Sequence, residues 1–277
     1  ERKEHGELQS SEAGNLVASW LKTRGDVAAW KDLPLDSFIS LEGANLTRTQ
    51  EGFILASGVS PDTHTTILTT TPNLPRVTAI RVDLFPHDSL PMRGPGRCQN
   101  GNLHLSEVSM SLFQPDEPSR KALKIGRATA DFNQEGWGIE RAIDGDPKTA
   151  WGIHPAVGQP HYAVFELAEP IELQPGSKLT ITLKQLHGGS HLLGAFQVRA
   201  TDAPPQQTVA VPIEVERILS LSEEQRSAED RQSLYLYFAR LAAEESLSKL
   251  PPQMKVFAVG KSVDIPNGNG KYQSERL

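Results

Sequence analysis

At residues 141–151 the chain reads RAIDGDPKTAW. Two aspartates flank a glycine, a threonine follows three residues after the second, and a tryptophan comes two residues later. Two readings fit: an ordinary polar turn, or a turn that aims oxygens at a hard cation. The helix-loop-helix calcium motif is excluded, because its fifth position needs Asp or Asn and Lys148 stands there.

The flanking sequence is β-rich. From Trp30 to about Asp202 short runs such as FISLEG, FILASG, HTTILTT, VTAIRVDLF, LHLSEVSMSLF, YAVFELA, KLTITLKQL and AFQVRAT are separated by Gly, Pro, Asn and Asp. Several alternate, with Thr78, Ile80, Val82 and Leu84 set against Ala79, Arg81 and Asp83. Many short strands between turn signals predict a sandwich or jelly roll. On either side the pattern is helical. Leu8 to Lys22 predicts a short amphipathic helix. Ser222 with Gln225 predicts a capping box opening a helix that carries Leu234, Phe238 and Leu241, runs to about Leu250 and stops at Pro251–Pro252. Tyr235, Tyr237 and Phe238 read as that helix's buried side, and the tail from Lys261 as a loop. The expected division is therefore 1–29, a helical extension; 30–205, the sandwich; and 206–277, a helical extension and tail packing on the sandwich or on a neighbouring domain.

Composition narrows the function. The chain has 277 residues and a formal net charge of −6, with 28 basic against 34 acidic side chains. No cationic cluster suggests a nucleic-acid partner, and no apolar run approaches the roughly 20 residues of a membrane helix. The opening ERKEHGEL has no methionine and reads as an excised segment or a processed chain. Cys98 is the single cysteine, which excludes an internal disulfide framework, a Cys-rich zinc site and c-type haem attachment within this chain. Nucleophile elbows, H-E-x-x-H and phosphate-cradling glycine loops are missing. Of the eight histidines the best metal spacing is HGGSH at 187–191, read as a flexible loop. Asp83 and Glu107, on neighbouring predicted strands, are the weak candidates for a catalytic carboxylate pair.

The run IGRATADFNQEGWGIERAIDGDPKTAW, with YAVFELAEPIEL and AFQVRATD after it, resembles the opening of discoidin-type domains, the coagulation-factor C-type, galactose-binding-like sandwiches that include many carbohydrate-binding modules. The resemblance implies a calcium loop in which the Arg141 carbonyl, Asp144, Asp146 and Thr149 are ligands. In that family a carbonyl and a glutamate on the last strand close the shell. Here the matching pair, Ser106 (carbonyl) and Glu107 in LHLSEVSMSL, precedes the loop instead. The resemblance thus implies a circular permutation, with residues 30–114 the usual second half, 121–203 the usual first half, and FQPDEPSRK joining the old ends. Such ends lie close together on domain surfaces, so the rearrangement is cheap.

A wider resemblance runs through EGFILASGVSPDTHTT, GPGRCQNGNLHLSEV, AWGIHPAVGQPHYAVFE and HLLGAFQVRATD, which are similar to the middle region of planctomycete-type cytochrome-c-domain proteins. It implies an extracytoplasmic setting (periplasm or cell surface), flanking domains of a larger chain as partners, and haem bound elsewhere than in this chain. A departure lies at Phe196, flanked here by Ala195 and Gln197 where that family has an arginine.

The expectation is a non-catalytic, calcium-stabilised carbohydrate-binding module. Its glycan-binding rim is expected from Trp137, Arg97, His154, Asn100, Asn102, His161 and Trp151, aromatic and polar groups near the loop. The alternatives are a structural spacer that docks flanking domains and, third, a polysaccharide-acting enzyme.

Overall fold

The computed structural model describes residues 27–250 apart from Pro118, together with Asn15, 18–20 and Lys22. The expected N-terminal helix lies largely outside the described residues, although those described within it are helical, and the stop at Pro251–Pro252 and the tail lie outside them altogether.

The described residues are mainly β. In chain order the strands are β1 (Lys31–Asp32), β2 (Leu35–Ser40), β3 (Ala44–Arg48), β4 (Ile54–Gly58), β5 (His64–Thr70), β6 (Arg76–Leu84), β7 (His104–Leu105), β8 (Glu107–Phe113), β9 (Lys121–Leu123), β10 (Ile125–Ala130), β11 (Trp151–Gly152), β12 (His161–Glu172), β13 (Lys178–Gln185) and β14 (Ala195–Thr201). One antiparallel sheet has seven strands in the order β10-β12-β6-β14-β4-β3, with β1 also on β14. The other has five, β2-β5-β13-β8-β9, and β7 pairs with β11 as a separate ribbon. Inner-face side chains of both sheets share one core: Ile80, Val82, Phe165 and Phe196 from the larger, Leu68, Met110, Ile181 and Leu183 from the smaller, and Trp151 from the ribbon. Alternation along β8 shows why, since Val108, Met110 and Leu112 are buried while the residues between them are not.

The two sequence halves interleave. In the larger sheet β6, from the first half, lies between β12 and β14 of the second. In the smaller, β13 of the second half lies between β5 and β8 of the first. Neither half alone would keep its central neighbours.

The alternation along β6 is not inside-against-water, as the sequence pattern suggests. Ala79, Arg81 and Asp83 are buried as well, because the C-terminal helices cover that face. Helix α1 (Ile213–Leu219) follows Pro212, and α2 (Ala228–Ser248) follows a short 3-10 turn. The single helix expected from Ser222 is thus broken. Ser222 N–H donates to Gln225 Oε1 in the 3-10 turn, and it is Ser227 that caps α2, accepting from Asp230 N–H and donating its own N–H to Asp230 Oδ2. Leu234 and Phe238 are buried against Val211, Val215 and Ile218, whereas Leu241 is partly exposed. Helix α1 was not evident in the sequence, since VPIEVERIL fits either period.

The covering is built around Arg81. Its guanidinium meets Asp83 at 2.7 Å and both Glu216 oxygens at 2.5 and 3.1 Å, and it lies 3.7 Å from the Tyr162 ring centre. Tyr162 O–H donates to the Val211 carbonyl and accepts from Val211 N–H. Burial pushes the Asp83 carboxyl up, against the pull of Arg81 and Arg199.

Candidate functional site

The carboxylate turn follows a 3-10 segment, Ile139–Ala142, whose Ile139 and Ala142 are buried. Gly145 sits between the aspartates at φ 81°, a left-handed conformation that a side chain would strain. Asp144 Oδ1 accepts from Asp146 N–H at 2.9 Å, and Asp146 Oδ1 from Lys148 N–H at 2.9 Å. Thr149 O–H donates to Asp144 Oδ2 at 2.7 Å and lies 3.4 Å from the Arg141 carbonyl. These are the bonds of a self-sufficient polar turn, yet each carboxylate oxygen retains a further lone pair.

Glu107, at the start of β8, stands against this turn. Burial raises its carboxyl above the ordinary range, with Asp144 and Asp146 adding to the rise and the Gly145 N–H and Lys184 opposing it. Its Oε1 is buried with no hydrogen-bond partner. Glu107 thus lies within electrostatic reach of Asp144 and Asp146, and Thr149 bonds Asp144 beside the Arg141 carbonyl, but the oxygens of the three carboxylates do not all come within 4.8 Å of one another. Ser106 is buried, its N–H donating to the Lys184 carbonyl and its Oγ accepting from Leu186 N–H. Every donor atom in the set is oxygen, which fits calcium and not zinc. An unpartnered carboxylate oxygen within electrostatic reach of two further carboxylates is the feature that a cation would relieve.

A second cluster adjoins the first. His104, on β7, is buried in a parallel stack, with Trp137 on one side at 4.3 Å between ring centres and His191 at 4.0 Å. His187 crosses edge-on to both His104 and Trp137, at 4.7 Å in each case. Burial, then the neighbouring His191 and His187, push the His104 imidazole down to about 3, so the ring is neutral. Asn102 fixes its tautomer. Asn102 Oδ1 accepts from Ile153 N–H, so Nδ2 is the donor to His104 Nε2 at 3.3 Å and to Gln134 Oε1 at 3.1 Å. The ring proton therefore rests on Nδ1, facing His187 Nδ1 at 3.2 Å.

The HGGSH segment is not the flexible loop its glycines suggest. Asp62 accepts from Gly189 N–H at 2.7 Å and, through its carbonyl, from Ser190 N–H. Gly188, Gly189 and Ser190 all have positive φ, which doubles the chain back so that both histidines reach His104.

Of the residues expected on a glycan rim, three are interior. Trp151 is buried in the core and its indole N–H donates to the Phe132 carbonyl. His161 is buried between Asp131 and the Ala156 carbonyl. Asn102 is buried in the network just described. Arg97 is tied down, donating to the Gly58 and Val59 carbonyls at 2.8 Å each. Asn100 and His154 are exposed and Trp137 is half-buried. The rim is thus narrower than expected, and the histidines beside Trp137 were missed as its partners. The Asp83–Glu107 pair also fails, since β6 and β8 belong to different sheets and Asp83 is consumed by its arginines.

No model of a known protein family matches the chain, and no curated protein matches it. Among the described residues no helix is long and apolar enough to cross a membrane.

Proposed function

We propose that the chain is a non-catalytic, calcium-stabilised carbohydrate-binding module of a larger extracytoplasmic, cytochrome-containing protein, folded as a circularly permuted galactose-binding-like jelly roll. The observation that carries the reading is Trp137, a half-exposed indole held beside imidazoles at the edge of a rigid sandwich, next to a turn whose oxygens suit calcium. Sugars bind by laying apolar faces on such rings while nearby polar groups take their hydroxyls. Exposed His154 and Asn100 and the crossing His187 supply those groups. The ion's part is structural, tying the turn to β8. Interleaving of the two halves supports the permutation, and expression of residues 116–205 alone tests it. An aggregated or molten product is expected; a soluble fragment with a sharp melt would overturn the permuted single sandwich.

The binding reading is tested with a glycan array, run with and without calcium, on the wild type and Trp137→Ala. Binding that disappears in the variant while the melting midpoint holds is the expected result. A wild type that binds no glycan would hand the function to a spacer. That second reading has its own support in α2 and just beyond it, where Leu236 and Leu247 of the helix and Leu250 after it are 59%, 64% and 62% exposed, as on a surface that meets a flanking domain.

A further inference from the structure

The carboxylate turn does not account for the imidazoles beside it. Among the described residues, His104, His187 and His191 are the set of three ligand-type side chains whose donor atoms lie within 4.8 Å of one another. We propose that these three imidazoles form a second metal site, which takes one borderline divalent transition ion of the zinc class and is separate from the calcium turn.

The geometry supplies the first argument. His104 Nδ1 and His187 Nδ1 are 3.2 Å apart, close to the separation of about 3.3 Å between two nitrogens bound tetrahedrally at roughly 2.0 Å. One proton lies between them, and an ion replaces it. The donor chemistry supplies the second: three neutral nitrogens and no carboxylate select against calcium and magnesium and suit zinc, cobalt, nickel or copper. Three protein ligands leave a position open to water, as in catalytic rather than closed structural zinc sites.

Support around the ligands is the third argument. Trp137 holds the plane of His104 by stacking on it. Asp62 anchors the loop that carries the other two rings. Two adjustments accompany binding. The parallel His191 ring turns to aim a nitrogen at the ion, released by the 3.2 Å contact between its Nδ1 and the Gly188 carbonyl. The proton displaced from His104 Nδ1 moves to Nε2, at the expense of the long Asn102 contact, whose amide keeps its bond to Gln134.

The test is titration of the untagged chain with cobalt(II), followed by displacement with zinc(II). The expected result is one ion per chain, with the visible absorption of low-coordinate cobalt lost as zinc enters. His187→Gln and His191→Gln, both outside the core, should each weaken binding by at least the roughly 10-fold that even outer-shell losses cost, and together abolish the band. His87→Gln, a half-buried histidine outside the cluster, should change nothing. A band or a zinc affinity undiminished in the double variant would overturn the site, as would a wild type that holds no ion at micromolar concentration. Saturating calcium should leave the cobalt band in place. A band removed by calcium would mean that the two sites are one, and would equally refute the proposal.

Discussion

The carboxylate turn and the imidazole cluster differ in how the chain builds them. Four members of the turn, from Arg141 to Thr149, lie within one short stretch, and their spacing along the sequence is nearly their spacing in space. The imidazoles come from β7 and from a loop more than eighty residues later, joined by stacking that leaves no periodic trace. Both meet on the β7–β8 segment, where His104 serves one and Glu107 the other. Ligands from one turn can be read as a motif. Ligands from separate elements become a site only after the sheets are in register.

If the β7–β11 ribbon supports both clusters, Trp151 holds the common platform, since it pairs with Leu105 and fills the core behind them. Trp151→Ala should cost about 3–5 kcal/mol and should also diminish the calcium response and the cobalt band. Thermal melts with each ion would show it. A variant that melts normally, or that loses only one response, would make the two clusters independent of the ribbon.

Calcium should raise the melting midpoint measured in chelator. The gain is about 2.7 kcal/mol at a hundredfold excess over Kd, and Asp144→Ala with Asp146→Ala should erase it. An unchanged midpoint in millimolar calcium would reduce the turn to an ordinary one.

Glu107→Gln sharpens the contrast further, because its sign should reverse. A carboxyl raised above its ordinary range destabilises the folded chain at neutral pH, and this penalty fades as pH falls through the raised value. In chelator the variant should therefore gain on the order of 1 kcal/mol, by removing the negative charge from a carboxyl whose buried oxygen has no partner. In calcium it should lose more than that. The same sign in both conditions would remove Glu107 from the ion's shell.

The smallest effect concerns a histidine that belongs to neither cluster. Burial alone would lower His161, but the hydrogen bond and charge of Asp131 and the Ala156 carbonyl outweigh it and hold the ring above its ordinary value. The stability it adds is fully present below pH of about 6.5, the ordinary value, and is lost as pH rises through the raised one. Asp131→Asn should flatten that slope in midpoints taken across neutral pH. An unaltered slope would locate the pH dependence elsewhere.

The sequence by itself determined the β-rich centre between helical flanks, most strand positions, and the turn in which Asp144, Asp146 and Thr149 meet, because alternation and turn spacing are local properties of the chain. It even placed Glu107 as the turn's partner, through a resemblance rather than through any pattern in the residues. Only the tertiary structure decided that Ala79, Arg81 and Asp83 lie under helices, that Trp151, His161 and Asn102 are interior, and that His104 is stacked between Trp137 and His191. Burial of a strand's second face depends on what packs over it, and ring stacking depends on which loops meet. Neither is encoded in the order of neighbouring residues, so both had to wait for the two halves to interleave.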